Sequence, residues 1–491
     1  MQASLYIIFI LCITVIILLF LLAAKDNHKH EISGVKINDA LLSGEELESY
    51  ARKLAFDEAA RKRSNSSVRP LSRLNDNYKY ILSVYKSLND DMRRMRPILP
   101  SAEWLLDNFY IIEEQVKSIQ RDLTRELYNK LPILKSGPFK GYARIYAVAM
   151  ELVCHTDGKI DENVITSYIN AYQTHNTLTS VEFWAMPIMI KMAVIEKIRY
   201  ICGNISETRQ QHSKVDEMLD RIMKEENFDA EKLSHAILTE MRSTFEIKPS
   251  FIEHLAYRLR RLGRASSQAL RFVDDKLAKH GMSIDAVTLK EHNIQAVNKV
   301  SIENCILSLK FISGLNWIDV FESLSTLEQI LRKDPDGTYA RMDLSSRNMY
   351  RNKIEELSNL FNVSEIHIAR EAVALAKKAV AEHPENPHLH NIGYYILDDG
   401  LELLEERMNY KPTGYKKLLR FAKKHPTLIY ITSILALTAL LSLAAVIAAA
   451  YLAGSDYSIL HRTIISLLVF ITLFIPSSDI AVCFVNNLLS H

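Results

Sequence analysis

Nothing in these 491 residues arranges cysteine for chemistry. Cys12 and Cys483 stand in apolar end segments, and Cys154, Cys202 and Cys305 are scattered. None belongs to a C-x-x-C or to a His-Cys cluster, so the pattern reads as neither a disulfide framework nor a zinc site. An excess of one charge is missing too. With 60 Lys and Arg against 58 Asp and Glu, the net charge is +2, which argues against a dedicated nucleic-acid binder. Also lacking are a phosphate-cradling glycine-rich loop, a nucleophile elbow and an H-E-x-x-H motif. The chain offers no catalytic constellation, and no cofactor or metal site is expected in it.

What it has is apolar residues gathered at its two ends. Residues 4–24, SLYIIFILCITVIILLFLLAA, are uncharged and long enough to cross a hydrocarbon core of about 30 Å. A signal peptide competes for this segment. The missing basic n-region and a length beyond the usual apolar core of about 7–15 residues favour an uncleaved signal anchor. Residues 427–453 form a second span and 463–489 a third, interrupted by Pro476 and Asp479, with a short polar link between them that makes a transmembrane hairpin. Lys411, Lys416, Lys417, Arg420, Lys423 and Lys424 precede the second span without an acid among them. Positive-inside bias then puts this membrane-surface cluster, and the large middle region, in the cytoplasm. The same bases would anchor the chain on anionic lipid headgroups, at about 1 kcal/mol each.

Ser477, Ser478 and Asp479 are the candidate intramembrane polar lining. A carboxylate at a helix centre costs on the order of 3 kcal/mol on insertion scales and faces a partner or a water-filled path. Alternatively, Pro476 ends the spanning helix and Asp479 caps an interfacial one. Sequence leaves both open.

The middle is helical in period. Residues 43–63 begin with Ser43 and Glu46 in capping-box spacing and continue as a charged amphipathic helix leading into a linker. From 74 to 410 the apolar residues recur at three and four, and Gly and Pro fall mainly in breaks, which predicts an all-α cytoplasmic domain. The stretch SAEWLLDNFYIIEEQV, residues 101–116, sets aromatics beside acids, as a sugar-cleaving cleft would. Yet Leu105, Phe109, Ile112, Val116 and Ile119 share one helical face, and Glu103, Asp107, Glu113 and Glu114 lie off it. A core helix is expected, with Ser101 as its N-cap and Trp104 and Tyr110 at the sides of the stripe.

Other suggestive motifs resolve similarly. Asp334-Pro335-Asp336 has the letters of a nucleotide-sugar Asp-x-Asp, but it follows a helical run and precedes Gly337, which predicts a turn. HTDGKIDE lacks the alternating acids of a calcium loop, and Asp161 fits an N-cap. His383, His388 and His390 have no partner at metal-motif spacing and read as a surface loop.

Several segments together resemble the N-terminal part of bacterial cyclic β-1,2-glucan synthases. They are SAEWLLDNFYIIEEQV; residues 131–161 and 178–199; LNWIDVFESLSTLEQILRKDPDGTYARMD at 315–343; and HNIGYYILDDG at 390–400. The similarity runs from about residue 44 onward. It implies a membrane-anchored helical cytoplasmic domain plus transmembrane helices in the bacterial inner membrane, followed in the family by a glycosyltransferase that uses UDP-glucose and a divalent metal. The expectation is that this transferase domain lies outside the chain, as part of the same machine in cis or as a separate chain. No family active-site residue transfers to a position here. The chain is then expected to be a scaffold segment whose partners are membrane lipid, the transferase and nascent β-1,2-glucan, with no nucleic acid. The alternative is a stand-alone membrane-tethered interaction protein with no glycosyltransferase role.

Overall fold

The fold is known from a computed structural model that describes residues 40–57, 60–61, 70–223, 237, 248–262, 266–279, 281–410, 414, 424–452 and 459–489. The protein is all-α, as the periodicity predicts: the described residues form nineteen α-helices and a single pair of two-residue strands. Two compact units divide the chain, one running to Leu397 and the other starting at Asp398.

The first unit opens with α1 (Gly44–Asp57), whose first turn is closed by the Ser43 N–H donating to Glu46 Oε2 at 2.8 Å. Leu47, Ala51 and Ala55, four residues apart, bury its inner face. The expected helix over 43–63 stops at Asp57. Ala60–Arg61 instead form strand β1, antiparallel to β2 (Ile133–Leu134), so a long-range ladder prevails over local helical propensity.

Helices α2 (Pro70–Arg93), α3 (Pro100–Asp122) and α4 (Arg125–Lys130) follow. All five stripe residues of α3 are buried, as is Ser101. Ser101 is not the cap. Leu99 holds that position, Pro100 occupies the first helical turn where its missing N–H costs nothing, and no side chain caps the end. Next come α5 (Arg144–His155), buried along nearly its whole length, and α6 (Glu162–Gln173), whose N-cap Asp161 accepts from Val164 N at 2.9 Å.

The 44-residue α7 (Ser180–Met223) and the 31-residue α10 (Ile284–Gly314) pack on each other, with α8 (Pro249–Arg261) against both and α9 (Ser267–Ala278) alongside. Around them α2 and α5 lie against α7, and α3 lies against α10 and α2. One apolar cluster fills the space among α1 to α7 and the second half of α10. Another joins the end of α7, from Val215 to Ile222, to α8, α9 and the start of α10.

Buried ion pairs fix how these helices register. Arg73 on α2 reaches Glu196 on α7 at 2.6 Å, with Asn77 donating to the same carboxylate, and Arg144 on α5 reaches Glu182 on α7 at 2.5 Å. Pairs removed from water this way cost several kcal/mol when one partner is lost.

The unit closes with α11 (Trp317–Leu324), α12 (Thr326–Leu331), α13 (Thr338–Arg341), α14 (Leu344–Phe361), α15 (Glu365–Glu382) and α16 (Ile392–Leu397). Glu328 is its hub. Fully buried, it accepts from Arg351 on α14 at 2.5 Å, Arg347 at 3.1 Å, Arg332 at 2.9 Å and the Tyr339 hydroxyl at 2.8 Å. Burial opposes its charge, but these donors outweigh it and hold the carboxyl below its ordinary range. Asp334-Pro335-Asp336 forms the expected turn: Asp334 accepts from the backbone of Tyr339 and Ile392, and Asp336 from Thr338 and Asn391.

The second unit holds α17 (Leu401–Arg407) and two long apolar helices, α18 (Pro426–Leu452) and α19 (Ile459–Leu489), which pack along each other.

Candidate functional site

Helices α18 and α19 are long and apolar enough to cross a membrane. They differ from the core helices of a soluble protein in that only 11% and 17% of their most apolar windows are buried, so most of their surface is left for lipid to cover. Between the two helices, Thr438, Ser442, Ser477 and Ala481 are buried, and such small residues let backbones approach closely. The Tyr430 hydroxyl donates across the pair to Asn486 Oδ1 at 2.9 Å.

The structure separates the three candidate lining residues. At about 100° per residue they cannot share a helix face. Ser477 is buried, the Ser478 hydroxyl bonds back to Ile475 O at 2.8 Å, and Asp479 is exposed. Pro476 does not end the helix. It lies inside α19, which continues to Leu489 with Asp479 in its interior. Of the basic cluster, Lys424 is exposed just ahead of α18, while Lys411, Lys416, Lys417, Arg420 and Lys423 lie outside the described residues, as does the 4–24 anchor.

In the first unit, the aromatic and acidic stretch on α3 forms no cleft. Trp104 packs partly buried on the core, Tyr110 is exposed, and Glu113 pairs with Lys117 one turn on. His383, His388 and His390 are exposed or half-buried in the segment that joins α15 to α16. Cys154, Cys202 and Cys305 are buried, and burial pushes the Cys202 thiol up to about 12 and the Cys305 thiol higher, so neither of these two is a nucleophile.

Among the described residues, two concavities hold clustered polar side chains. A groove of about 600 Å³ runs between α7 and α10. Its polar wall holds the Lys197–Asp157 ion pair at 3.3 Å and the Asn204 amide donating to Asn298 Oδ1 at 3.1 Å. Tyr200, Leu289 and Val297 form exposed apolar patches along it. Together an aromatic face, planar amides and a charged pair suit a polyhydroxylated ligand.

The second, of about 700 Å³, lies among α2, α7 and α8. Arg209 and Arg96 converge on Asp91. His212 and His254 stack with ring centres 4.2 Å apart and planes at 10°. His254 Nε2 is 3.0 Å from Asp216 Oδ1, which also accepts from Arg258 at 2.5 Å. His212 Nε2 is buried with no hydrogen-bond partner. Its nearest carboxylate oxygen, Glu253 Oε2, is 3.6 Å away, and Glu253 Oε1 is 3.7 Å from His292 Nε2 on α10. Burial, and then the neighbouring His254, lowers His212 to about 4. Sequence reasoning missed this cluster because its members come from three helices and no local spacing marks them.

No protein-family model matches the chain. A curated relative does: the cyclic beta-(1,2)-glucan synthase NdvB of Rhizobium meliloti (strain 1021) is 30% identical over 356 residues. The match takes in 72% of this chain and 12% of the relative's length. Together with the two apolar helices it points to membrane association, and at that identity and extent the chain is a relative of the cyclic β-(1,2)-glucan synthase family.

Proposed function

We propose that this chain is a membrane-anchored scaffold segment of a cyclic β-1,2-glucan synthase machine in the bacterial inner membrane. Its helical body stands on the cytoplasmic side, the side that positive-inside bias assigns to the Lys411–Lys424 cluster. Polymerisation from UDP-glucose, with its divalent metal, falls to a glycosyltransferase domain in cis or on a separate chain. The observation that carries this reading is the 356-residue similarity to a synthase, of which it covers 12%. The interior of the body supports it. Glu182, Glu196 and Glu328 are neutralised by arginines within the fold, an arrangement that holds helices in place rather than one poised to move protons. Nascent glucan would meet the body in the groove between α7 and α10, where Tyr200 offers a stacking face and Asn204 and Asn298 offer amides.

The test is incorporation of labelled UDP-glucose by membranes holding this chain alone, and by membranes that also hold a transferase-bearing partner. We expect none from the chain alone, and output with the partner that falls when this chain is removed. Incorporation by the chain alone would overturn the scaffold role. Output that is indifferent to the chain would favour the stand-alone interaction protein.

A further inference from the structure

We propose that His212, Glu253 and His254, with His292 beside them, form a binding site for a first-row divalent transition ion, Zn²⁺ foremost. One ligand atom from each of His212, Glu253 and His254 lies within 4.8 Å of the other two. Around a tetrahedral zinc with bonds of about 2.0–2.1 Å, neighbouring ligand atoms stand roughly 3.3 Å apart. The observed separations of 3.6 Å from His212 to Glu253 and 3.7 Å from Glu253 to His292 are a few tenths wider, and because the His212 and His254 rings stack with planes 10° apart, one of the two rings must turn out of the stack for both lone pairs to meet a single ion.

Two further observations point to an ion rather than to a plain polar cluster. A buried imidazole nitrogen without a hydrogen-bond partner is uncommon and calls for an explanation, and His212 Nε2 is one, aimed toward a carboxylate just beyond bonding reach. His254 meanwhile has the outer partner that metal-ligating histidines usually have. Its Nε2 faces Asp216, itself held by Arg258, so with the proton on Nε2 the Nδ1 lone pair is free to coordinate. Imidazole nitrogen with one carboxylate selects zinc and its neighbours over Mg²⁺ or Ca²⁺, which take oxygen. The ligands come from α7, α8 and α10, so an ion here would tie three helices together across the second apolar cluster. This holds whether or not the chain serves a glucan synthase.

The experiment is a Zn²⁺ titration of the tag-free full chain in detergent micelles after stripping with chelator, read by bound metal per chain and by thermal stability. Co²⁺ serves as a visible-absorbing probe of the ligand set. We expect one tight equivalent of Zn²⁺, stabilisation on binding, and no response to Mg²⁺ or Ca²⁺. His212→Gln and Glu253→Gln should each weaken binding about 100-fold or more, and Asp216→Asn about 10–100-fold, through the outer contact. His292→Gln changes an exposed side chain and tests the site even where the buried variants fail to fold; it should weaken binding roughly tenfold and alter the Co²⁺ spectrum. No zinc bound at micromolar concentration would overturn the site. So would binding that His212→Gln and Glu253→Gln leave unchanged, which would put the ion elsewhere.

Discussion

Replacing Gly158 by alanine tests how the core around α7 and α10 is locked. Gly158 sits in the turn after α5 at φ +74°, its N–H donating to Val153 O at 2.8 Å and its carbonyl accepting from Ser308 on α10 at 2.6 Å. A Cβ there would lie 2.5 Å from Cys305 Sγ, about an ångström inside ordinary contact, and Cys305 is fully buried with nowhere to swing. The left-handed backbone costs about 1–2 kcal/mol for a residue with a side chain, and the overlap adds about 1–3 kcal/mol, giving about 2–5 kcal/mol in all. Gly137 supplies the control. Its φ is +81° and no atom lies within 4 Å of where a methyl group would stand, so Gly137→Ala should show the backbone cost alone, about 1–2 kcal/mol. All three tryptophans, Trp104, Trp184 and Trp317, belong to this unit, so urea unfolding of the full chain in detergent, followed by tryptophan fluorescence, reports on it. Adding Cys305→Ala to Gly158→Ala should recover the steric part as a positive coupling in a double-mutant cycle. Gly158→Ala within about 0.5 kcal/mol of Gly137→Ala, with no coupling to Cys305, would refute the close packing of this turn on α10.

Glu328→Gln leaves Arg351 buried without its anion and should destabilise the first unit by on the order of 3–5 kcal/mol in the same unfolding assay; a loss under about 1 kcal/mol would count against the hub. His212 titrates at about 4 in the fold against an ordinary 6.5, so the unfolded chain takes up its proton first as pH falls. Its contribution is therefore complete above about pH 6.5 and is lost toward pH 4; with chelator present, wild type should lose about 2 kcal/mol more than His212→Gln between pH 7 and pH 5, and equal slopes would reject it. Asp479→Leu relieves an insertion cost of about 3 kcal/mol yet should lower glucan output from a reconstituted complete machine, and unchanged output would remove Asp479 from any polar path.

The segments that carry the family resemblance hold several of the buried polar contacts. Arg144 and Glu182, from residues 131–161 and 178–199, bond to each other, and 315–343 holds Glu328, Tyr339 and Asp334. Burial restricts such positions to residue types that complete the network, which makes them recognisable as letters even though the letters do not say what they touch.

Alone, the sequence determined what depends on near neighbours: the buried stripe of α3 from its three-and-four spacing, the capping of α1 by Ser43 and Glu46 and of α6 by Asp161, the turn at 334–336, and two apolar spans long enough for a bilayer. These follow from helical period, end chemistry and length, all of which act within a turn or a single element. Tertiary structure decided the rest. It ended α1 at Asp57 by pairing Ala60–Arg61 with a strand some seventy residues on, carried α19 through Pro476, parted Ser477 from Asp479, and brought His212, Glu253, His254 and His292 together. Those outcomes depend on where distant helices run and how they turn about their axes, and no local pattern encodes that.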